Sequence, residues 1–261
     1  MRTYVVTGAA SGIGAATAEL ITSRGDRVIG VDLRDADVVA DLSTTEGRRD
    51  AVRTTLEKAG RTGIDAVIAA AGISAPKALT VAVNYFGVTE FLEGLLPGLS
   101  KSEAPRVAVV SSMASIQQNS PELVEALLSG DEAVALSIGA KLEAAGPREG
   151  YLNYPSSKRA LSRWVRRECI SDQWAGAGIP LNAVAPGTVI TNMTRSMLET
   201  EEGRVMVDAN VPMPLNYHSE ATVIAKLLLW LTSEENTHVT GQTIYCDGGA
   251  DATLRGDNIW A

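Results

Sequence analysis

Short runs of β-branched and apolar residues alternate with longer helix-patterned stretches along the whole chain, and no other feature restricts the fold as much. Residues 3–7, 27–32, 65–70, 106–111, 180–185 and 243–246 read as strands. Several are apolar at consecutive positions, the pattern of a parallel sheet covered on both faces. Helical periodicity occupies residues 12–24, 44–58, 83–96, 155–174 and 219–231 between them. Sustained alternation of this kind predicts right-handed βαβ units and an α/β, Rossmann-type, doubly wound parallel sheet of about seven strands. No shift in composition divides the 261 residues, so residues 1–261 are expected to form a single domain.

One stretch breaks the rhythm. Residues 116–150 separate a strand from the next long helix by more than a crossover needs. Ser120-Pro121-Glu122 supplies an N-cap, a first helical residue and a first-turn acid. Leu123, Leu127 and Leu128 then recur at helical spacing up to Gly130-Asp131, and residues 133–145 continue to Gly146-Pro147. This is expected to be a helical insertion of two helices, whose leucines and alanines either offer an apolar face to a second copy or cover the core of the same chain.

Composition narrows the function classes. Twenty-three basic against thirty-one acidic residues leave a net charge of −8, which disfavours nucleic acid as a partner. The longest purely apolar run is six residues, Ala66 to Ala71, too short to span a membrane. The first residues turn glycine-rich at once, without the pattern of a signal peptide. Two cysteines, Cys169 and Cys246, and two histidines, His218 and His238, give neither a disulfide framework nor a metal-ligand spacing. A cytoplasmic, metal-free protein is expected.

After the first strand comes Thr7-Gly8-Ala9-Ala10-Ser11-Gly12-Ile13-Gly14, then a helical run. Glycines let the backbone approach a pyrophosphate, and the helix that follows presents unpaired N–H groups and its positive end. Asp32 closes the second strand eighteen residues after Gly14. A carboxylate there accepts hydrogen bonds from ribose hydroxyls and repels a 2′-phosphate, so NAD is expected over NADP. Arg34 lies between Asp32 and Asp35 and is expected to be neutralised by them. Further on, Tyr154 and Lys158 are four residues apart at the start of a helix and share one face. A phenol is a poor base at neutral pH unless nearby positive charge lowers its pKa. Tyr151 competes for that role, but with Pro155 in the first turn it lies outside the helix, where it shapes the substrate entrance.

The glycine spacing Gly-x-x-x-Gly-x-Gly, together with Tyr154-Pro155-Ser156-Ser157-Lys158, closely resembles the short-chain dehydrogenase/reductase family over essentially the whole chain. The resemblance implies a catalytic Ser112, with Ser111 as fallback, a Tyr154 acid/base, and Lys158 tuning it. It implies Asn84 as the residue tying a water to the lysine. The cofactor set it implies is Gly8, Ser11, Gly12, Ile13, Gly14, Asp32, Asp41, Leu42, Ala71, Gly72, Pro186, Gly187, Val189 and Thr191, with Tyr154 and Lys158. Asp41 would read the adenine amino group, and the Val189 backbone with the Thr191 hydroxyl would fix the nicotinamide carboxamide. Asp247-Gly248-Gly249 matches the family's turn after the last strand.

Two departures stand out. Ala69-Ala70-Ala71-Gly72 replaces the family's usual Asn-Asn-Ala-Gly, which would loosen that turn, and Ser112 and Tyr154 are 42 residues apart, several times the family's usual gap. Both departures, with Val31-Asp32-Leu33-Arg34-Asp35-Ala36 and Asn84-Tyr85-Phe86-Gly87, are similar to the bacterial 3α-hydroxysteroid dehydrogenase/carbonyl reductase subgroup, and coniferyl-alcohol dehydrogenases are similar over the same region. The implied activity is NAD-dependent interconversion of a hydrophobic secondary alcohol and its ketone: a 3α-hydroxysteroid, an aromatic alcohol or a terpenoid. A nucleotide-sensing protein without turnover is the alternative class, against which Tyr154 and Lys158 are both retained. A hydrolase lacks its Gly-x-Ser-x-Gly elbow. Residues 188–215, rich in methionine, are expected to form either a substrate lid or a surface helix packed on the core. A homo-oligomer, most simply a dimer, is expected because the insertion obstructs the family's usual tetramer packing.

Overall fold

The structure is a computed structural model that describes residues 1–259; the last two residues of the expected domain lie outside the described residues. Its strands are β1 (Thr3–Thr7), β2 (Arg27–Asp32), β3 (Val38–Val39), β4 (Ala66–Ala69), β5 (Arg106–Val110), β6 (Leu181–Pro186), β7 (Val189–Ile190), β8 (Ser219–Glu220) and β9 (Thr243–Cys246). Seven form one parallel sheet in the order β3-β2-β1-β4-β5-β6-β9, while β7 and β8 pair separately. The seven-stranded expectation holds. The two-residue β3 was not legible, since so short a run carries no alternation to detect.

Consecutive apolar residues are required because both faces are covered. Val5, Val67, Val107, Val109 and Ala183 join one core with Phe91, Leu92 and Trp164. Their neighbours Tyr4, Val6, Ile68, Ala108, Val110 and Val184 join the other with Ile21, Ile224 and Leu228. Successive strand residues point to opposite faces, so a polar residue on either face would lie in a core. All these strands are parallel, but the strand order runs outward from β1 to β2 and β3 on one side and to β4, β5, β6 and β9 on the other, and a crevice opens outside the strand ends at that reversal.

Two helix boundaries differ from the expectation in ways that matter. The helical run expected from Val83 starts at Leu79 and includes a π-helical stretch, Ala82–Phe86, centred on Asn84. The helix expected at 155–174 spans Asn153–Glu168, and Trp174 folds back against Trp164 with ring centroids 5.9 Å apart at 85°.

The insertion contains Pro121–Ser129, capped by the Ser120 hydroxyl, Glu132–Ala144, capped by Asp131, and a third helix, Pro147–Tyr151. Leu123, Val124, Leu127, Ala135 and Ile138 are buried in the core of this same chain. Of the two expectations for this apolar face, the structure therefore shows the one in which it covers the chain's own core. Residues 188–215 behave differently: the helices Arg195–Leu198 and Glu201–Asn210 contain no buried residue. The alternative of a surface helix with one face packed in the core is not what the structure shows.

Candidate active site

A cleft of about 460 Å³ lies at the carboxyl ends of β1, β4, β5 and β6. Its first wall is the glycine-rich turn. Gly8 has φ of +70°, and a β-carbon there would come within 2.9 Å of the Ala71 nitrogen, so only glycine fits. Ser11, Gly12 and Ile13 line the cleft, and the Ser11 side chain caps nothing, which leaves the first amides of the helix Gly12–Ser23 for an anion. Gly14 does not line it. A β-carbon on Gly14 would sit 2.1 Å from the Gly8 carbonyl oxygen, so this glycine serves helix-to-turn packing instead of ligand contact.

Asp32 lines the next wall, where its carboxylate accepts from the Ala10 N–H at 3.0 Å and the Leu33 N–H at 2.7 Å. The acid thus fastens the glycine-rich turn to the end of β2. Arg34 departs from its expected neutralisation: it is exposed and, among the described residues, forms no ion pair with Asp32 or Asp35. Beyond it, Asp41 and Leu42 line the cleft, and Asp41 accepts from the Ser43 N–H at 2.9 Å.

Ala71 and Gly72 lie opposite. The turn is not loose despite its missing asparagines, because the Ala71 N–H donates to the Thr7 hydroxyl at 3.0 Å. From the other side Asn84 is fully buried and brackets Ile73, accepting from its N–H at 2.9 Å and donating to its carbonyl at 3.0 Å. Asn84 also donates to the Ser157 hydroxyl at 3.2 Å and does not line the cleft. Its side chain stands behind the cleft wall, where Gly72 lies close to both Asn84 Oδ1 and Lys158 Nζ.

The far end is built by the loop after β6. Pro186, Gly187, Val189 and Thr191 line it, and the Thr194 hydroxyl donates to the Val189 carbonyl while accepting from the Thr191 N–H at 3.1 Å. Asp247 accepts from the Gly249 and Asp251 N–H groups at 3.0 and 2.7 Å and backs Gly187, holding the turn after β9. Thr7, Thr194 and Ile73 were not singled out from the sequence. A hydroxyl residue ending the strand before a glycine turn was the available signal for Thr7.

Ser112, Tyr154 and Lys158 meet where these walls converge. Ser112 follows β5 in extended conformation and accepts from the Ala114 N–H at 3.1 Å. Ser111 is turned to the neighbouring helix, bonded to the Lys158 carbonyl at 3.2 Å and the Ser162 hydroxyl at 2.8 Å. Burial pushes the Tyr154 phenol up to about 12, against a smaller downward pull from the Ser112 hydroxyl. Burial also brings the Lys158 ammonium down to about 8. Its Nζ donates to the Val110 carbonyl at 2.7 Å, and among the described residues no hydrogen bond joins it to Tyr154. Tyr151 is 43% exposed, with its ring centroid 6.1 Å from that of Tyr154.

A family profile described as enoyl-(acyl carrier protein) reductase matches residues 8–251. The chain is 37% identical over 260 residues to the 3-alpha-hydroxysteroid dehydrogenase/carbonyl reductase of Comamonas testosteroni, covering 98% of each chain. It belongs to the short-chain dehydrogenase/reductase family. The solved structure of the 3-alpha-hydroxysteroid dehydrogenase from Pseudomonas sp. B-0831, complexed with NADH, matches 98% of this chain and 100% of its own, with a TM-score of 0.87 at 37% identity. The Escherichia coli 3-oxoacyl-[acyl-carrier-protein] reductase is 26% identical over 247 residues, covering 94% of this chain and 95% of its own. This short-chain dehydrogenase/reductase is an oxidoreductase of alcohols and ketones that uses a nicotinamide dinucleotide. Among the described residues no helix is long and apolar enough to cross a membrane.

Proposed function

We propose that the protein is an NAD-dependent dehydrogenase/reductase for a hydrophobic secondary alcohol and its ketone, with a 3α-hydroxysteroid as the first substrate to try. The observation that carries this reading is one continuous cleft with Asp32 at one end and the Ser112–Tyr154–Lys158 group at the other. The residues fit a dinucleotide: the Gly8 cradle admits no β-carbon, and the uncapped helix start beside it favours a pyrophosphate. Asp32 takes the adenosine ribose, Asp41 and Leu42 the adenine, and Ala71 with Gly72 the backbone approach to that ribose. Pro186, Gly187, Val189 and Thr191 take the nicotinamide end.

When bound, the nicotinamide exchanges a hydride with the substrate carbon. The chain's own part concerns the proton. Ser112 holds the substrate oxygen, and Tyr154 removes the hydroxyl proton during oxidation or returns it during ketone reduction. Lys158 keeps positive charge in the floor beneath, helping an otherwise un-ionised phenol to act as base. Asn84 acts as a positioning residue through Ile73 and Ser157.

Residues 188–215 serve as a lid over the substrate, supported by exposed Met193 in a turn and exposed Met197 and Met206 on helices with no buried residue. The names of the two 37%-identical relatives support a steroid substrate. A single catalytic domain, a cytoplasmic location and a homodimer complete the reading. Turnover screening with NAD and NADP across steroid, aromatic and terpenoid secondary alcohols tests it. NAD-linked oxidation of 3α-hydroxysteroids is expected. NADP-linked turnover alone, or none with any alcohol although NADH binds, would reject it, the latter in favour of a nucleotide sensor.

A further inference from the structure

Arg48 is almost completely buried, with a side chain 1% exposed, and it belongs to no part of the proposed chemistry. A buried guanidinium is tolerated only when its five N–H groups find acceptors. Here they do, and the acceptors come from three places. Nε donates to Glu90 at 2.7 Å, and one terminal nitrogen donates to Glu132 at 2.6 Å and to the Thr45 hydroxyl at 3.1 Å. The other terminal nitrogen donates to the Leu42 and Ser43 carbonyls at 3.4 and 3.3 Å. Those carbonyls belong to the cleft wall that the proposed reading gives to adenine. Glu132 is the first residue of the insertion helix Glu132–Ala144. The wall is also pressed against the helix that carries Glu90, since a β-carbon on Gly87 would come within 2.9 Å of the Leu42 carbonyl oxygen.

We infer that Arg48 and Glu132 are positioning residues for the adenine end of the cleft, through which the helical insertion braces the segment Asp41-Leu42-Ser43. This inference rests on the assignment of that segment to adenine. Glu132 holds one side of the guanidinium plane and Glu90 another, which fixes where the remaining N–H groups place the two carbonyls. Without Glu132 a buried charge loses half of its carboxylate partners, and the Leu42 and Ser43 carbonyls follow the guanidinium as it shifts. The insertion thereby acts on cofactor affinity from the side opposite to Tyr154.

The test is calorimetric binding of ADP-ribose and of nicotinamide mononucleotide, alongside KM for NAD, kcat and thermal melting. Glu132→Gln is expected to weaken ADP-ribose at least fivefold and raise KM for NAD similarly, with mononucleotide binding unchanged and kcat within twofold. Arg48→Lys keeps the charge but not the planar fork, and should weaken ADP-ribose as well. Glu125→Gln removes an exposed insertion pair with Arg163 and should change nothing. A Glu132→Gln protein that melts lower yet binds ADP-ribose as wild type does would reduce the brace to ordinary stability and overturn the inference. Asp41→Ala separates the two ideas. If it weakens ADP-ribose while Glu132→Gln does not, only the brace falls; if neither weakens it, the adenine assignment falls and the brace with it.

Discussion

Lys158 donates its ammonium to the carbonyl of Val110, 2.7 Å away, while the hydroxyl of Ser111 reaches back to the carbonyl of Lys158 at 3.2 Å. The end of β5 and the helix Asn153–Glu168 are thus tied together at the point where one presents Ser112 and the other Tyr154. A strand end alone would leave the serine on a mobile loop. Reciprocal bonds fix the serine and the phenol relative to each other before any substrate arrives, the preorganisation that proton transfer requires.

That tie has a cost that depends on pH. Burial lowers Lys158 to about 8 from the ordinary 10.5, so between those values the unfolded chain binds more protons than the native one. Stability contributed at this position therefore rises with pH across that window and is lowest below about 8. Lys158→Met should raise cofactor-free stability at pH 7 by about 2 kcal/mol, net of the lost Val110 bond, while abolishing turnover. Urea melts at pH 7, 9 and 10.5 check it: the advantage should shrink as pH rises, and a constant destabilisation would contradict the burial argument.

Tyr154→Phe should lower kcat by about 10²- to 10⁴-fold in both directions and leave the NADH dissociation constant within a few fold. The phenol is pushed up to about 12, so it enters the alkaline range as an acid. Alcohol oxidation, which needs the base, should accelerate as pH rises, whereas ketone reduction, which needs the proton, should stay nearly constant up to about pH 10 because the phenol remains protonated there. Initial rates from pH 6 to 10 with both enzymes test this. A Phe variant retaining more than about a tenth of wild-type kcat would move the acid/base role elsewhere.

What the sequence makes legible is local. The glycine spacing places Gly8 because a positive φ is a property of one residue, and consecutive apolar residues place β1, β4, β5 and β6 because both faces are covered. The resemblance supplies Ser112, and only the fold shows why Ser111 is unavailable: Ser162, fifty-one residues away, takes its hydroxyl. Gly14 looks like part of a ligand cradle in the sequence, but its close partner is the Gly8 carbonyl. Arg34 sits between two acids in the chain and pairs with neither, since Asp35 adopts a φ of +50° in an exposed turn and Asp32 is engaged with backbone N–H groups. Arg48 and Glu132, eighty-four residues apart, meet through a packing of elements that no spacing rule anticipates.

Asp32→Ala should relax the preference for NAD over NADP and weaken NADH as well. The carboxylate repels a 2′-phosphate and also holds the Ala10 N–H at 3.0 Å, so its loss loosens the glycine-rich turn. Arg34 is exposed and without an ion-pair partner among the described residues, so it is ready to meet a phosphate once the acid is gone. The ratio of kcat/KM for the two cofactors is the measurement. Adding Arg34→Ala should reverse the gain for NADP, and an unchanged ratio in the single variant would place selection outside Asp32.

The insertion should matter to stability more than to surface chemistry. Leu127 on its helix Pro121–Ser129 is fully buried, and Leu127→Ala should cost about 2–5 kcal/mol in a chemical melt. Deleting residues 121–145 removes the buried Leu123, Val124 and Leu127 and uncovers the helix Asn153–Glu168 on which they pack, so that protein should aggregate instead of reporting on assembly. Val134 is a better probe, being 47% exposed on the helix Glu132–Ala144. Light scattering should give the mass of a dimer for both wild type and Val134→Arg, because an insertion whose apolar face is already covered influences assembly only by its bulk. A monomeric Val134→Arg protein with wild-type melting behaviour would place the insertion in the interface after all.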